Sequence, residues 1–484
     1  MTTDRLDLHA GRSEPQVLSL LRKESLDLYN RLHSIQEDVD FVKEVCAAYS
    51  HLPVLPNLRC GAWYVDPATA REEPAYFKST DGHFGNWSFN LRRPNLHLLS
   101  IVVAEGGLIL VDSTRAGKRI PDALSKTVPI WCAVVNRAVR RKYPSLEKAE
   151  WDTRLYCPPG VVSTQEQAQI EARLDEWANS LLDSAYILSD LQYPLRPLWV
   201  TPSTSRFPQL MADEQTFYPV ICVSASKQVD GTERRPKGFA YVQGSGDDHE
   251  LWGMDLTPQV FWENKDVLMK ADRGELPDLV KRLISASGGR IHDDQWNPTP
   301  ISHVGRLIYL CAIPDIPPLL PRQLPNQTDT VAYVLVSASA LPTTTPHTSL
   351  SQATSDMMLQ LHLAEGKIDQ IQFLQRVLPQ AVSFIGSMLA NGHAVCICCD
   401  TGKDVSVGVA LAALQLFFDD AGNYVATPER QRVLRNTASK QSVAKRLQWI
   451  ISSRPQANPS RAVLKRVNEY ILTSPSFRRH RGDD

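Results

Sequence analysis

The stretch HAVCICCDTGKDVSVGVALAALQLFF, residues 393–418, decides the fold of the C-terminal part of the chain. Its opening, Ala394–Cys398, is the short apolar, β-branched run of a buried strand. From Val405 onward the residues are apolar on every side, which predicts a helix buried all round. Between them lies Cys399-Asp400-Thr401-Gly402-Lys403-Asp404-Val405-Ser406, a glycine-containing loop that ends at a helix N-terminus. Free N–H groups and the positive end of the helix dipole make such a turn an anion site, and Lys403 adds a point charge. Cys399, Thr401, Gly402, Lys403, Val405 and Ser406 are the expected phosphate cradle, with Asp400 and Asp404 beside it as metal or base groups. Cys396 and Cys399 form a Cys-x-x-Cys pair, but no second ligand pair at zinc spacing follows. An ordinary strand-to-helix turn is the alternative.

Outward from this stretch, helix and strand signals alternate. Glu14 to about Ser50 has helical periodicity, with Val17, Leu20, Leu28, Leu32 and Ile35 on one side, and Gln165–Leu191 repeats it. Leu98–Val103, Leu108–Val111, Val220–Val223, Phe239–Val242 and Val331–Val336 read as strands. The fold class is α/β. Pro194–Pro219 and Pro314–Pro325 are proline-rich; the second resembles a linker, which places a boundary near residue 325. The expected division is a large mixed α/β domain over 1–325 and a second α/β domain with basic C-terminal helices over 326–484.

The 484 residues suit two or three domains. With 43% hydrophobic residues the chain can bury real cores. Apolar runs break before the roughly 18 residues of a membrane span, and the N-terminus has no apolar signal core. Nine scattered cysteines do not read as a disulfide framework. A reduced, cytoplasmic or nuclear protein is expected, with the cytoplasm the place implied. The net charge of -1 argues against a polyanion partner only as an average. Between Ala421 and Gly482 thirteen Lys and Arg stand against Glu429 and Glu469, a surplus of +11 that leaves -12 for the rest. That asymmetry predicts a basic face for a polyanion.

The loop at 399–406 resembles the phosphate-binding signature of protein tyrosine and dual-specificity phosphatases, in which Cys, Gly, Arg and Ser or Thr recur at fixed spacing. Cys399, Gly402 and Ser406 fall in register, and Lys403 stands where phosphoinositide phosphatases often carry Lys. The Arg position holds Val405. A thiolate nucleophile needs a guanidinium fork on the transferring phosphoryl group. The resemblance therefore implies a dual-specificity-phosphatase-like domain that keeps phosphate affinity and has left hydrolysis; a phosphatase of phosphoinositide or protein substrates is the alternative.

Across nearly its whole length the chain resembles the initiator tRNA 2′-O-ribosyl phosphate transferase family of fungi and plants. The resemblance rests on FKSTDGHFGNWSFNLRRPNLHLL (77–99), GLILVDSTRAGKRIPDALSKTVPIWCAVVNRA (107–138), GFAYVQGSGDDHELW (238–252) and CCDTGKDVSVGVAL (398–411). It implies a pentosyltransferase that moves a 5-phosphoribosyl group from phosphoribosyl pyrophosphate, with Mg²⁺, to the ribose 2′-hydroxyl of a T-stem purine in initiator methionine tRNA. That mark keeps the initiator out of elongation. No stable protein partner and no membrane partner are expected.

Such a transfer passes through an oxocarbenium-like state and needs a base, a metal-bridged diphosphate and a phosphate pocket. The 399–406 loop is one candidate. The other is Asp112-Ser113-Thr114-Arg115-Ala116-Gly117-Lys118-Arg119 after the strand Leu108–Val111, with Asp112 as a catalytic acid and Arg115 and Lys118 on the donor. It loosely resembles the donor motif of phosphoribosyltransferases; a turn with solvated basic residues is the alternative. In Gly244–Glu250, Asp247 and Asp248 are metal candidates or part of a plain turn, and His292-Asp293-Asp294 is a similar cluster. Lys78, Asp81, His83 and Arg92 lie in a polar, aromatic stretch where an acid–base His has a place. Duplex RNA is held through phosphates and 2′-hydroxyls, for which Arg430, Arg432, Arg435, Lys440, Lys445, Arg446, Arg478 and Arg479 are the expected contacts, with Arg137, Arg140, Arg141 and Lys142 as an extension.

Overall fold

The structure, a computed structural model, describes residues 22–58, 60–115, 117–210, 215–229, 233–236, 238–247, 249–287, 298–317, 320, 321, 323, 330–339, 357–363 and 367–473. The chain divides into two units, one of Met1–Asp183 with Ile187–Arg290, the other of Ser184–Tyr186 with Ile291–Asp484.

In the first unit β1 (Val54–Pro56), β2 (Leu108–Asp112), β3 (Leu195–Val200) and β4 (Tyr218–Ser224) make a parallel sheet in the order β1-β2-β4-β3. Every residue of β2 is buried because helices cover both faces. Leu108 and Leu110 enter a core with Trp131 and Val135 of the helix Val128–Lys142 and Trp177 of Leu174–Leu182. Ile109 and Val111 enter a second core with Ile35, Val39 and Val42 of the helix Leu28–Ala48, and with Phe261, Leu268 and Val280 from the helices after Thr257. Strands covered on both sides read as unbroken apolar runs, as β2 and β4 do.

The second unit is a five-stranded sheet. Its strands are β7 (Thr299–Pro300), β8 (Ile308–Ala312), β9 (Val331–Ser337), β10 (Met358–His362) and β11 (Ala394–Cys399), in the order β10-β9-β11-β8-β7, with β7 alone antiparallel. The numbers β5 and β6 belong to the pair Glu233–Arg234 and Ala240–Tyr241 of the first unit. The helix Val405–Phe417 is buried from Ser406 to Phe417. It packs against the helices Leu378–Ala390, Pro428–Asn436, Lys440–Ser453 and Arg461–Leu472.

Several expectations change. Leu98–Val103 is not a strand but the helix Leu98–Glu105, closed by Gly106 at φ 78°; Leu98, Leu99, Ile101 and Val102 are buried, so packing overrides the strand propensity of Ile101, Val102 and Val103. The first helix is interrupted at Asp27, whose carboxylate accepts from Asn30 N at 2.9 Å, and Glu14–Leu21 lies outside the described residues. Gln165–Leu191 becomes two helices, Thr164–Glu171 and Leu174–Leu182. The proline-rich 194–219 hides β3, a sheet-edge strand where Pro197 is tolerated. The division falls at Arg290/Ile291 rather than near 325. The reason is β8, which pairs Tyr309 with Cys396 and so belongs to the second sheet; the 314–325 segment connects two strands of that sheet.

Candidate active site

In the second unit the 399–406 loop runs from the end of β11 into the helix Val405–Phe417. Gly402 is required twice over. Its φ is +62°, and a Cβ there would stand 2.7 Å from Arg454 Nη2 and 2.8 Å from Ala312 N. Arg454 caps the helix Lys440–Ser453 and is 7% exposed. It donates from Nε to Gly402 O at 2.9 Å and from Nη1 to Thr299 Oγ1 at 2.7 Å. Its guanidinium braces the loop. The loop's own Arg position holds the half-buried Val405.

Both acids of the loop are likewise engaged. Asp400 accepts from Ser337 Oγ at 2.8 Å and from Ala338 N at 2.9 Å. Asp404 accepts from Ser460 N at 2.7 Å. The Cys399 thiol donates to Ser406 Oγ at 3.1 Å, and Thr401 and Lys403 are exposed.

In the first unit the candidates gather at the carboxyl ends of β1, β2 and β4. Asp112 accepts from Asn57 Nδ2 at 2.8 Å, from the Cys60 thiol at 2.7 Å and from Ser113 N at 2.9 Å. Burial pushes its pKa up to about 6, against the pull of those hydrogen bonds. Ser113 Oγ meets Ser226 Oγ at 2.6 Å, and Ser226 donates to Asp38 at 2.5 Å. Tyr241 OH donates to the other Asp38 oxygen at 2.6 Å. Burial raises Asp38 well above the ordinary carboxylate range. Asp38 escaped the sequence reading, although an acid at the core-facing register of Ile35, Val39 and Val42 was the signal for it. These groups hold the loops after β2 and β4 together rather than facing solvent.

Beside them opens a cavity of about 640 Å³ lined by His83, Phe84, Lys118, Arg119, Asp122 and Lys126 among others. Asp122 takes Lys118 Nζ at 2.6 Å on one oxygen and Lys126 Nζ at 3.0 Å on the other. Burial works against its ionised form, but the two ammonium groups prevail and keep its pKa low. Lys126 also reaches Glu166 at 3.2 Å, which accepts from Trp87 Nε1 at 2.9 Å. His83 Nε2 lies 3.6 Å from Asp122. Arg115 stands 3.4 Å from the buried Asp247. The polar stretch thus splits: His83 enters the cavity lining, while Asp81 is taken by Arg93 at 2.7 Å.

The basic tail also divides. Arg430, Arg432 and Lys440 are exposed. Arg435 lies 5.8 Å from the Tyr470 ring, and Lys445 is 3.8 Å from Asp420. Arg446 is 1% exposed, paired with Asp420, bonded to Phe418 O at 3.1 Å and set over Trp449. It is a packing residue and not an RNA contact, because no face of it meets solvent. Arg461 and Lys465 join Lys440 along a groove of about 540 Å³. Arg478, Arg479, Asp248 and His292-Asp293-Asp294 lie outside the described residues. In the expected extension Arg141 and Lys142 are exposed and Arg137 and Arg140 half-buried, each with partners. Arg137 pairs with Glu171 and Asp175, Arg140 and Lys142 reach the carbonyls of Trp151 and Leu188, and Arg141 bonds Asn179 at 2.7 Å.

Among the described residues no group of three or more His, Cys, Asp or Glu is arranged to hold a metal, and no helix is long and apolar enough to cross a membrane.

Comparison with known proteins gives matches along most of the chain. Residues 21–285 match the Rit1 N-terminal domain and residues 357–471 the Rit1 DUSP-like domain. The chain is 32% identical to the tRNA A64-2′-O-ribosylphosphate transferase of Saccharomyces cerevisiae, over 96% of each chain. It is 34% identical to an uncharacterized protein of Schizosaccharomyces pombe, over 92% of this chain and 94% of the other. Among solved structures, human DUSP28 aligns at 16% identity and a TM-score of 0.25, over 36% of this chain and 93% of its own. PTPMT1 aligns at 13% and 0.22, over 36% and 94%.

Proposed function

The chain belongs to the Rit1 family, and on that premise we propose that it is a tRNA-modifying pentosyltransferase. It moves a 5-phosphoribosyl group from phosphoribosyl pyrophosphate to the ribose 2′-hydroxyl of the T-stem purine at position 64 of initiator methionine tRNA. The observation that carries this is the yeast relative, named for 2′-O-ribosylphosphate transfer to A64 and matched over 96% of both chains.

In the reaction the 2′-oxygen forms a bond to C1 of the donor. The bond from C1 to the diphosphate breaks, the electron pair leaves with pyrophosphate, and the hydroxyl proton goes to a base. His83, in the cavity lining, is the proposed base. The acids first expected in that role are bound elsewhere: Asp400 and Asp404 by their loop partners, Asp112 by Asn57, Cys60 and Ser113 N.

Magnesium accompanies the donor in this proposal. It needs only one or two carboxylates beside phosphate oxygens and its own waters. A metal carried in on the diphosphate would meet Asp122 in the cavity, on the oxygen that the exposed Lys118 releases as it turns to the anion. The metal would neutralise the departing diphosphate. The exposed Arg430, Arg432 and Lys440, with Arg461 and Lys465, are the proposed tRNA face, and the cytoplasm is the proposed place of action.

The test is incubation of the full chain with labelled donor, Mg²⁺ and either initiator or elongator tRNA. Label on the initiator alone is the expected result. Label on neither tRNA rejects the reading, and phosphate release from an aryl phosphate would favour a phosphatase.

A further inference from the structure

Two places compete for the donor's phosphates, the 399–406 loop and the first unit's cavity. We infer that the cavity beside Lys118, Arg119 and Lys126 binds the donor's diphosphate; this rests on the transfer reaction proposed above and gives that reaction its anion site.

Position speaks first. The lining comes from the segments after β1 (His83, Phe84), β2 (Lys118, Arg119, Asp122) and β4 (Gln228), three neighbours in a parallel sheet, with Gly160 and Val161 from the turn before the helix Thr164–Glu171. The crevice beyond the carboxyl ends of such strands is where open α/β sheets bind ligands. Its volume, about 640 Å³, falls in the range of small-molecule sites.

The cavity is also cationic. Asp122 draws Lys118 and Lys126 together, one on each oxygen. Arg119 donates one N–H to Pro159 O at 3.2 Å, and a guanidinium carries five. Three cations here face two carboxylates, Asp122 and Glu166. Lys118 is 55% exposed, so it can turn from Asp122 to an incoming anion at little cost.

Backbone shape points the same way. Gly117 at φ +92° and Gly160 at φ +72° both line the cavity, and nothing lies within 4 Å of where a Cβ would stand. Bare peptide edges of this kind allow close approach by a ligand. At the rim Phe84 is 71% exposed and meets Trp87 edge-on at 5.4 Å, which leaves an aromatic face for the acceptor's base.

The competing loop offers less. Its acids bind Ser337, Ala338 and Ser460, and Arg454 binds Gly402 and Thr299. Lys403 is the cation it presents.

The experiment is calorimetric titration of magnesium pyrophosphate into the full chain, with labelled-pentose transfer to initiator tRNA measured in parallel. Lys118→Ala and Arg119→Ala should each weaken pyrophosphate binding about tenfold, the worth of one charge-assisted hydrogen bond. Both side chains are exposed, so thermal melting should stay at the wild-type value. Lys281→Ala, an exposed lysine remote in sequence, should bind as wild type does. Loss of affinity in Lys403→Ala with none in the cavity variants overturns the inference, and so does absence of pyrophosphate binding to the wild type. If pyrophosphate binds through Lys118 and Arg119 but no pentose reaches tRNA, the anion site stands and the transfer reading falls. If transfer proceeds and the cavity variants bind and transfer normally, the site falls and the transfer reading stands.

Discussion

Arg454 Nε donates to the carbonyl oxygen of Gly402 at 2.9 Å, while its Nη1 holds Thr299 Oγ1 at 2.7 Å. One guanidinium therefore ties the phosphate-type loop to β7. The loop, which carries Val405 and no arginine of its own, keeps its shape by a buried arginine that caps another helix.

Arg454→Ala should cost about 2–3 kcal/mol, because it leaves Gly402 O and Thr299 without their charged donor. Hydrogen exchange over 399–417 is the measurement, and the expected result is faster exchange there than in β2. Arg454→Lys should restore part of the protection, since an ammonium reaches only one of the two acceptors. Equal protection in Arg454→Ala and wild type would remove the brace.

Gly402→Ala should be worse than its size suggests. The left-handed conformation alone costs about 1 kcal/mol for an L side chain. The Cβ would also meet Ala312 N at 2.8 Å and Cys311 C at 2.9 Å, both backbone atoms that cannot swing aside. The expected outcome is a lowered melting temperature for the second unit, read by differential scanning calorimetry. Gly117→Ala, with open space around it, should cost only the conformational part.

Asp112 makes stability depend on pH. Its folded pKa, about 6, is raised above the unfolded value by burial. The folded state therefore holds the proton more tightly, and stability is fully present below about pH 4 and falls as pH rises through about 6. Ionising the buried carboxylate therefore costs the fold roughly 3 kcal/mol. Asp38 is shifted in the same direction and adds to the slope. In Asp112→Asn the difference in denaturation midpoint between pH 5 and pH 7.5 should shrink; an unchanged difference would show that Asp112 ionises as it does in water.

Residue patterns revealed the second unit better than the first. Ala394–Phe418 gave β11, the loop and the buried helix because each is a continuous run with local signals. β3 and β8 were missed, since Pro197 disguises an edge strand and Ile308–Ala312 has no flanking helix to announce it. The helix Leu98–Glu105 carries β-branched residues, so only its tertiary partners decide its state. The same limit applied to charge. Lys118 and His83 are far apart in sequence, and nothing local says that Asp122 gathers them round one cavity. Conversely, Arg446 and Arg137 look like surface cations until their partners Asp420 and Glu171 are known.

The same distinction between free and engaged cations governs RNA binding. Each phosphate neutralised releases counterions, so log affinity falls with log salt by roughly 0.9 for every contact. Arg432 and Lys440 are exposed, without an ion pair on their own helices to compete for a phosphate. Arg432→Glu and Lys440→Glu should weaken tRNA binding uniformly across sequences, and each should lower the salt slope by about one. Arg446→Gln should behave differently. It removes the donor to Phe418 O and the cation over Trp449, so it should lower the melting temperature and leave the salt slope of the folded fraction unchanged. Gel-shift titrations at four salt concentrations separate the two classes. A slope change in Arg446→Gln equal to that of Arg432→Glu would put the buried arginine on the RNA after all, and no slope change in either exposed variant would move the RNA face away from residues 430–440.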